Sequence, residues 1–384
     1  MNPSLPTLDE LIALRLVDPI AADRDDRVAL VHFLLTRGVS LDEVVRSHDV
    51  GDLVGLSVDR AVRPGVRLTR AEVARSSGVE AELLERLHQA SGLSDPGPEV
   101  AAFTASDVAA AQSFESLSLL FGEAVALQLM RVTGAALGRI AEAAVSAYMV
   151  NVHAPLQSTS AGDLATAHAF AQVAAALPNL AITLDAQLRH HIEAAVHQFV
   201  LTHRGAVGSE LVEVAVAFTD LVGSTAWSRS LTPTALASAI GRFNTLANEI
   251  ALANGGRLVK LIGDEAMFVA ADTGAACEIA LELVAQCRSI DELPPVRGGV
   301  ARGEVVTRDG DFHGPVVHLA SRLVKQAEPD RVVVTDEVAR SLPAGVVRVS
   351  ARARHLRGFD EPIEVVEIRH AVGADTTTAT ATAA

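Results

Sequence analysis

Val212-Glu213-Val214-Ala215-Val216-Ala217-Phe218-Thr219 is the first stretch of this 384-residue chain to alternate like a strand, and it runs into Asp220. Leu221-Val222-Gly223-Ser224-Thr225 then leads toward a helix, expected at 234–254 and stopped by Gly255-Gly256. Two short strands are expected at 257–261 and 265–270, joined by Ile262-Gly263-Asp264, a hairpin signal. Beyond them the pattern predicts a helix at 273–289, strands at 296–301 and 304–307 around a glycine, and a helix at 315–326. Strands at 332–334 and 363–368 complete it. The order β-α-β-β-α-β with extra strands is that of a ferredoxin-like sheet with helices on one face.

Upstream the texture differs. Residues 8 to about 201 read as helix after helix, so the chain is α+β: an all-helical N-terminal domain at 1–208 and a ferredoxin-like domain at 209–370. The connector is Arg204-Gly205-Ala206-Val207-Gly208-Ser209, and the low-complexity end, 371–384, is expected to be a disordered tail. Thr69 to Glu72 forms a capping box, and a Gly-containing turn and a second amphipathic stretch, 80–90, follow in the outline of a helix-turn-helix. Three glutamates, Glu80, Glu82 and Glu85, stand where a base-reading helix needs Arg, Lys, Asn or Gln, so the pair reads as packing helices. Helical patterns are expected at 104–151 and at 161–202, the second interrupted near Pro178-Asn179. The apolar stretch 124–150 holds Arg131, Arg139 and Glu142, which makes it an amphipathic helix and not a membrane span. His190, His191, His197 and His203 crowd the end of the helical half, as solvated residues or as a relay that responds near pH 6–7.

Composition narrows the function classes. Lys and Arg number 32 against 47 Asp and Glu, a formal charge of −15 that argues against stable nucleic-acid binding. Aromatics are 3%, too few for base-stacking platforms. Cys277 and Cys287 lie ten apart on one expected helix, too far along its axis to bridge, which suits a reducing cytoplasm. No basic segment followed by an apolar run opens the chain, so no signal peptide is expected.

The chemistry is expected at the strand ends. Asp220 closes a strand and Asp264 sits at the tip of a hairpin, and two such carboxylates can clamp hard divalent cations shared with substrate phosphates. The amides of Val222 to Thr225 are expected to cradle those phosphates.

Phe218-Thr219-Asp220-Leu221-Val222-Gly223-Ser224-Thr225, then Lys260-Leu261-Ile262-Gly263-Asp264-Glu265-Ala266, then His318-Leu319-Ala320-Ser321-Arg322, resembles the class III nucleotidyl cyclases in order and spacing. The helical half is similar to the regulatory domain of two-domain mycobacterial-type adenylate cyclases. The resemblance implies that Asp220 and Asp264, with the Leu221 carbonyl, bind two Mg²⁺ or Mn²⁺ ions. It implies that Lys260 and Asp311 select the purine: a lysine donates to adenine N1 and a carboxylate accepts from the N6 amino group, which favours ATP. It gives Arg322 the role of stabilising charge on the α-phosphate and pyrophosphate, and Arg357 a contact with the terminal phosphates. Gly223, Ser224 and Thr225 fall in the phosphate-binding turn. His318 departs from the family, which usually has a ribose-orienting asparagine there.

The activity so implied is conversion of ATP to 3′,5′-cyclic AMP and pyrophosphate by metal-assisted phosphoryl transfer, under control of the N-terminal domain. It also implies a head-to-tail homodimer with composite sites, the aspartates from one chain and Lys260, Asp311 and Arg322 from the other. The alternative left by His318 is a weak or inactive nucleotide-binding regulatory module.

Overall fold

The computed structural model describes residues 5–158, 162–202 and 211–371. The chain separates into two compact units, Met1–Glu193 and Ala194–Ala384. The Arg204–Ser209 connector, His203 and residues 372–384 of the expected tail lie outside the described residues.

The first unit is built from helices that start where the sequence caps them. They are α1 (Leu8–Ala13), α2 (Arg24–Thr36), α3 (Leu41–Asp49), α4 (Leu53–Val62), α5 (Arg70–Ser77), α6 (Ala81–Ala90), α7 (Ala105–Phe121), α8 (Glu123–Tyr148), α9 (Ala154–Ser158) and α10 (Asp163–Ala174). The last, α11, covers Leu177–Thr202. Capping boxes at Thr7/Glu10, Ser40/Glu43 and Thr69/Glu72 satisfy the first amides of α1, α3 and α5. Leu11, Leu30, Val31 and Leu34 are fully buried where α1 and α2 pack. In the helix-turn-helix outline, Arg70 is buried and pairs with Glu85 of α6 and with Asp95, so one of the three glutamates serves packing.

The expected continuous helix at 104–151 is split at Gly122 (φ 84°, ψ 148°), and α8 runs on into a π-helical turn, Met149–His153. The break between α10 and α11 falls at Ala175-Ala176, and Pro178 lies in the first turn of α11, where its missing N–H costs nothing. His190, His191 and His197 are exposed on α11. Among the described residues one helical stretch, Asp163–His197, is long and apolar enough to cross a membrane by length and composition. It is broken between α10 and α11 and carries the Asp185–Arg189 ion pair.

The second unit contains β1 (Leu211–Leu221), α12 (Ser224–Ser230), α13 (Pro233–Ala253), β2 (Arg257–Ile262), β3 (Glu265–Ala270), α14 (Thr273–Cys287) and β4 (Val296–Arg308). It continues with β5 (Asp311–His313), α15 (Pro315–Val324), β6 (Val332–Thr335), α16 (Asp336–Arg340), β7 (Val346–Arg354) and β8 (Ile363–His370). The sheet order is β2-β3-β1-β4-β6-β8-β7, with β5 paired to β4. Within it β2-β3-β1-β4 is the antiparallel ferredoxin-like core, and β4–β6 is a parallel pair.

The expectation of helices on one face is corrected. Ala215, Ala217 and Leu221 of β1 pack in one core with α13 and α14, whereas Val214, Val216 and Phe218 pack in a second with Ala320, Leu323 and Val324 of α15. Both faces of β1 are covered, which is why its sequence turns from alternation to an unbroken apolar run after Glu213. The two strands expected around Gly303 are one, because β1 pairs with β4 along its whole length, through Val214↔Gly303. Cys277 and Cys287 are both buried free thiols on α14, and burial pushes each up to about 12.

Candidate active site

Three local devices set up the site. Ile262 pairs with Glu265, so Gly263-Asp264 is a two-residue hairpin turn; Gly263 has φ 63°, which glycine adopts without a Cβ penalty. Strand β1 delivers Asp220 beside that turn, since Asp220 pairs with Glu265 and the Leu221 amide donates to the Asp264 carbonyl at 3.3 Å. Glycine at 299 lets α15 lie on the sheet: a Cβ there would stand 2.3 Å from the Val324 amide nitrogen.

The Asp220 side chain is 3% exposed, and both its oxygens are engaged by cations. Arg297, its direct partner on β4, donates from Nε to Oδ2 at 2.8 Å, and Lys325 Nζ lies 2.9 Å from Oδ1. Lys325 also pairs with Glu265. Burial alone lowers the Lys325 ammonium, but hydrogen bonds and charge from Glu265 and Asp220 outweigh it and the net shift is upward. The Asp264 carboxylate accepts from the Ser224 hydroxyl.

Lys260 of β2 donates to Asp311 of β5. Burial raises the Asp311 carboxyl, while the Lys260 hydrogen bond, the Phe312 amide at 2.8 Å and the lysine charge bring it below the usual carboxylate value. Arg257 lies 5.3 Å from the Phe312 ring centroid and shields the pair from below. Arg322, in the last turn of α15, is not drawn to the aspartates; its guanidinium lies 5.5 Å from the Phe359 ring centroid.

The comparisons with known proteins bear on both halves. Residues 12–196 match the adenylate cyclase regulatory domain and residues 208–365 the adenylate and guanylate cyclase catalytic domain. The chain belongs to the class III nucleotidyl cyclases. It is 32% identical over 352 residues to an uncharacterized protein of Mycobacterium tuberculosis H37Rv, covering 90% of this chain and 91% of that one. It is 35% identical over 280 residues to an adenylate cyclase of Streptomyces coelicolor, covering 72% of each. Among solved structures, the adenylyl cyclase CyaB from P. aeruginosa matches with 20% identity and a TM-score of 0.39, over 42% of this chain and 95% of that one.

In this cyclase the expected residues fall into separate contact groups. Asp220, Leu221 and Asp264 come together at adjoining strand ends, and Lys260 meets Asp311. His318 is exposed one helical turn before Arg322, and Arg357 is exposed in the turn between β7 and β8, beside the buried Leu356. Gly223 precedes the first turn of α12, with Ser224 and Thr225 following. One expectation fails: the Val222 amide donates to the Pro295 carbonyl at 2.8 Å, so it is spent on the fold and leaves the phosphate cradle.

Arg297 and Lys325 escaped the sequence reading. Arg297 is found only through the strand register that sets it opposite Asp220; Lys325 had a weak signal, lying one turn beyond Arg322. The donor set suits hard divalent cations, which take carboxylate and carbonyl oxygens. Among the described residues no group of three or more His, Cys, Asp or Glu forms a metal cage. The chain thus offers two carboxylates and a carbonyl, leaving the remaining positions to water and phosphate oxygens.

Proposed function

We propose that the chain is an adenylate cyclase that converts ATP to 3′,5′-cyclic AMP and pyrophosphate. The observation that carries this reading is the pairing of Asp220 and Asp264 at adjoining strand ends, together with a Lys260–Asp311 pair whose donor and acceptor complement the adenine edge. Asp220, Asp264 and the Leu221 carbonyl hold two Mg²⁺ or Mn²⁺ ions in this proposal. The chemistry such ions supply is activation of the ribose 3′-hydroxyl and neutralisation of charge on the departing pyrophosphate.

The protein's own part is positioning. Lys260 donates to adenine N1, and Asp311 accepts from N6. Arg322 offers a fork of N–H donors to the α-phosphate as negative charge builds there. Arg357 and the Gly223–Thr225 turn face the outer phosphates, and His318 donates to the ribose. Arg322 makes its contacts away from the aspartates of its own chain, which supports a head-to-tail homodimer in which it serves the partner's site. The helical half regulates the pair, and the assembly works in the cytoplasm.

The purified full-length protein with Mn²⁺ and ATP is expected to release cyclic AMP and pyrophosphate in equal amounts, and to turn over GTP far more slowly. Nucleotide binding without any cyclic product would leave the regulatory-module reading, to which the exposed His318 points.

A further inference from the structure

Asp220 and Glu265 are direct cross-strand partners, so two carboxylates stand side by side on one face of the sheet. Like charges in that arrangement destabilise unless a cation lies between them. Lys325 is that cation, bridging both. It differs from Arg297, the other partner of Asp220. Arg297 projects from the middle of the sheet with a side chain 22% exposed; Lys325 caps the end of α15 and reaches in from solvent, 45% exposed, on a flexible four-carbon stem. Of the two, the lysine can leave without disturbing a strand.

We propose that Lys325 is a tethered cation that holds the Asp220–Glu265 carboxylate pair in the metal-free enzyme and gives way when a divalent ion arrives, so that it sets how tightly the ion binds. The inference rests on reading Asp220 as a metal ligand. An incoming dication must either displace the ammonium, breaking two ion pairs, or bind beside it against repulsion; both weaken metal binding. Glu265 gives the displaced lysine a carboxylate to stay on, so the tether can reclose when the ion departs.

The test is a Mn²⁺ titration of the full-length protein without nucleotide, followed by loss of the free-ion electron paramagnetic resonance signal. Lys325→Met keeps the stem and removes the charge, and should tighten Mn²⁺ binding about three- to tenfold, the range for a partly exposed charge pair. Its metal-free Tm should fall by about 2–4 °C, and saturating Mn²⁺ should restore it to the parent value. Lys325→Arg, which keeps the charge, should bind Mn²⁺ as the parent does. Should Lys325→Met fail to fold, Lys325→Gln is measured in its place against the same expectation. An unchanged Mn²⁺ affinity in the neutral variant overturns the proposal. Asp220→Asn separates the two ideas: parent-like Mn²⁺ binding in that variant overturns the reading of Asp220 as a ligand, and the tether with it.

Discussion

Lys260 and Asp311 stand 51 residues apart and meet only because β5 folds back on β4. Their ion pair is partly exposed, so its contribution to stability is about 0.5–1 kcal/mol. Because the Asp311 carboxyl is lowered in the fold, that contribution is present above its unfolded value and is lost as the pH falls through its folded one. Its larger consequence is for the base. Guanine offers an acceptor at O6 and a donor at N1, the reverse of adenine. Lys260→Glu combined with Asp311→Cys should therefore lower kcat/KM for ATP at least tenfold and raise the relative use of GTP. A double variant with parental ATP kinetics would remove these two residues from base recognition.

At the scale of elements, α15 matters most, since it carries His318 and Arg322 and ends in Lys325. Its seat on the sheet depends on Gly299, where a Cβ would meet the Val324 backbone at 2.3 and 2.8 Å. Backbone cannot yield as a side-chain tip can. Gly299→Ala should destabilise the catalytic unit by about 1–3 kcal/mol, the cost of overpacking, seen as a lower urea midpoint with an unchanged slope. It should also reduce Mn²⁺ affinity changes on loss of the Lys325 charge, since the lysine no longer sits over Asp220. The caps and turns that open α13 and α14 were legible: Thr232 accepts from the Ala235 amide at 3.2 Å, and Asp272 from Ala275 at 2.9 Å. Strand β7 was not. It is the sheet's edge, and Arg348, Arg352 and Arg354 break the apolar signal while protecting that edge from pairing with other chains.

For the whole molecule the question is where a complete site forms. The aspartates spend their contacts on Arg297, Lys325 and Ser224, and Arg322 lies against Phe359. If complete sites form only between two copies, Asp220→Ala and Arg322→Ala should each be inactive alone. Mixed, they should recover activity, because one site of each heterodimer then has both halves intact. At equal amounts and random exchange about half the dimers are mixed, each with one of two sites, so recovery should approach about a quarter of the parental rate. No recovery, with exchange demonstrated by two differently sized tags, would refute a shared site.

The sequence by itself determined what is local: the capped helices, the Gly263-Asp264 hairpin, the strand ending at Asp220, and the motifs that mark the family. These rest on neighbouring residues, through backbone dihedrals, cap hydrogen bonds and apolar periodicity. Tertiary structure decided which charges meet. Arg297 lies 77 residues from Asp220 and Lys325 105, and no periodicity within either segment announces that they will flank one buried carboxylate. It also decided that α15 covers the sheet's second face, since an apolar strand is compatible with either arrangement until a helix with room beneath it, at Gly299, comes to rest there. Ion pairs across a sheet follow from register, and register is fixed by the packing of the whole domain.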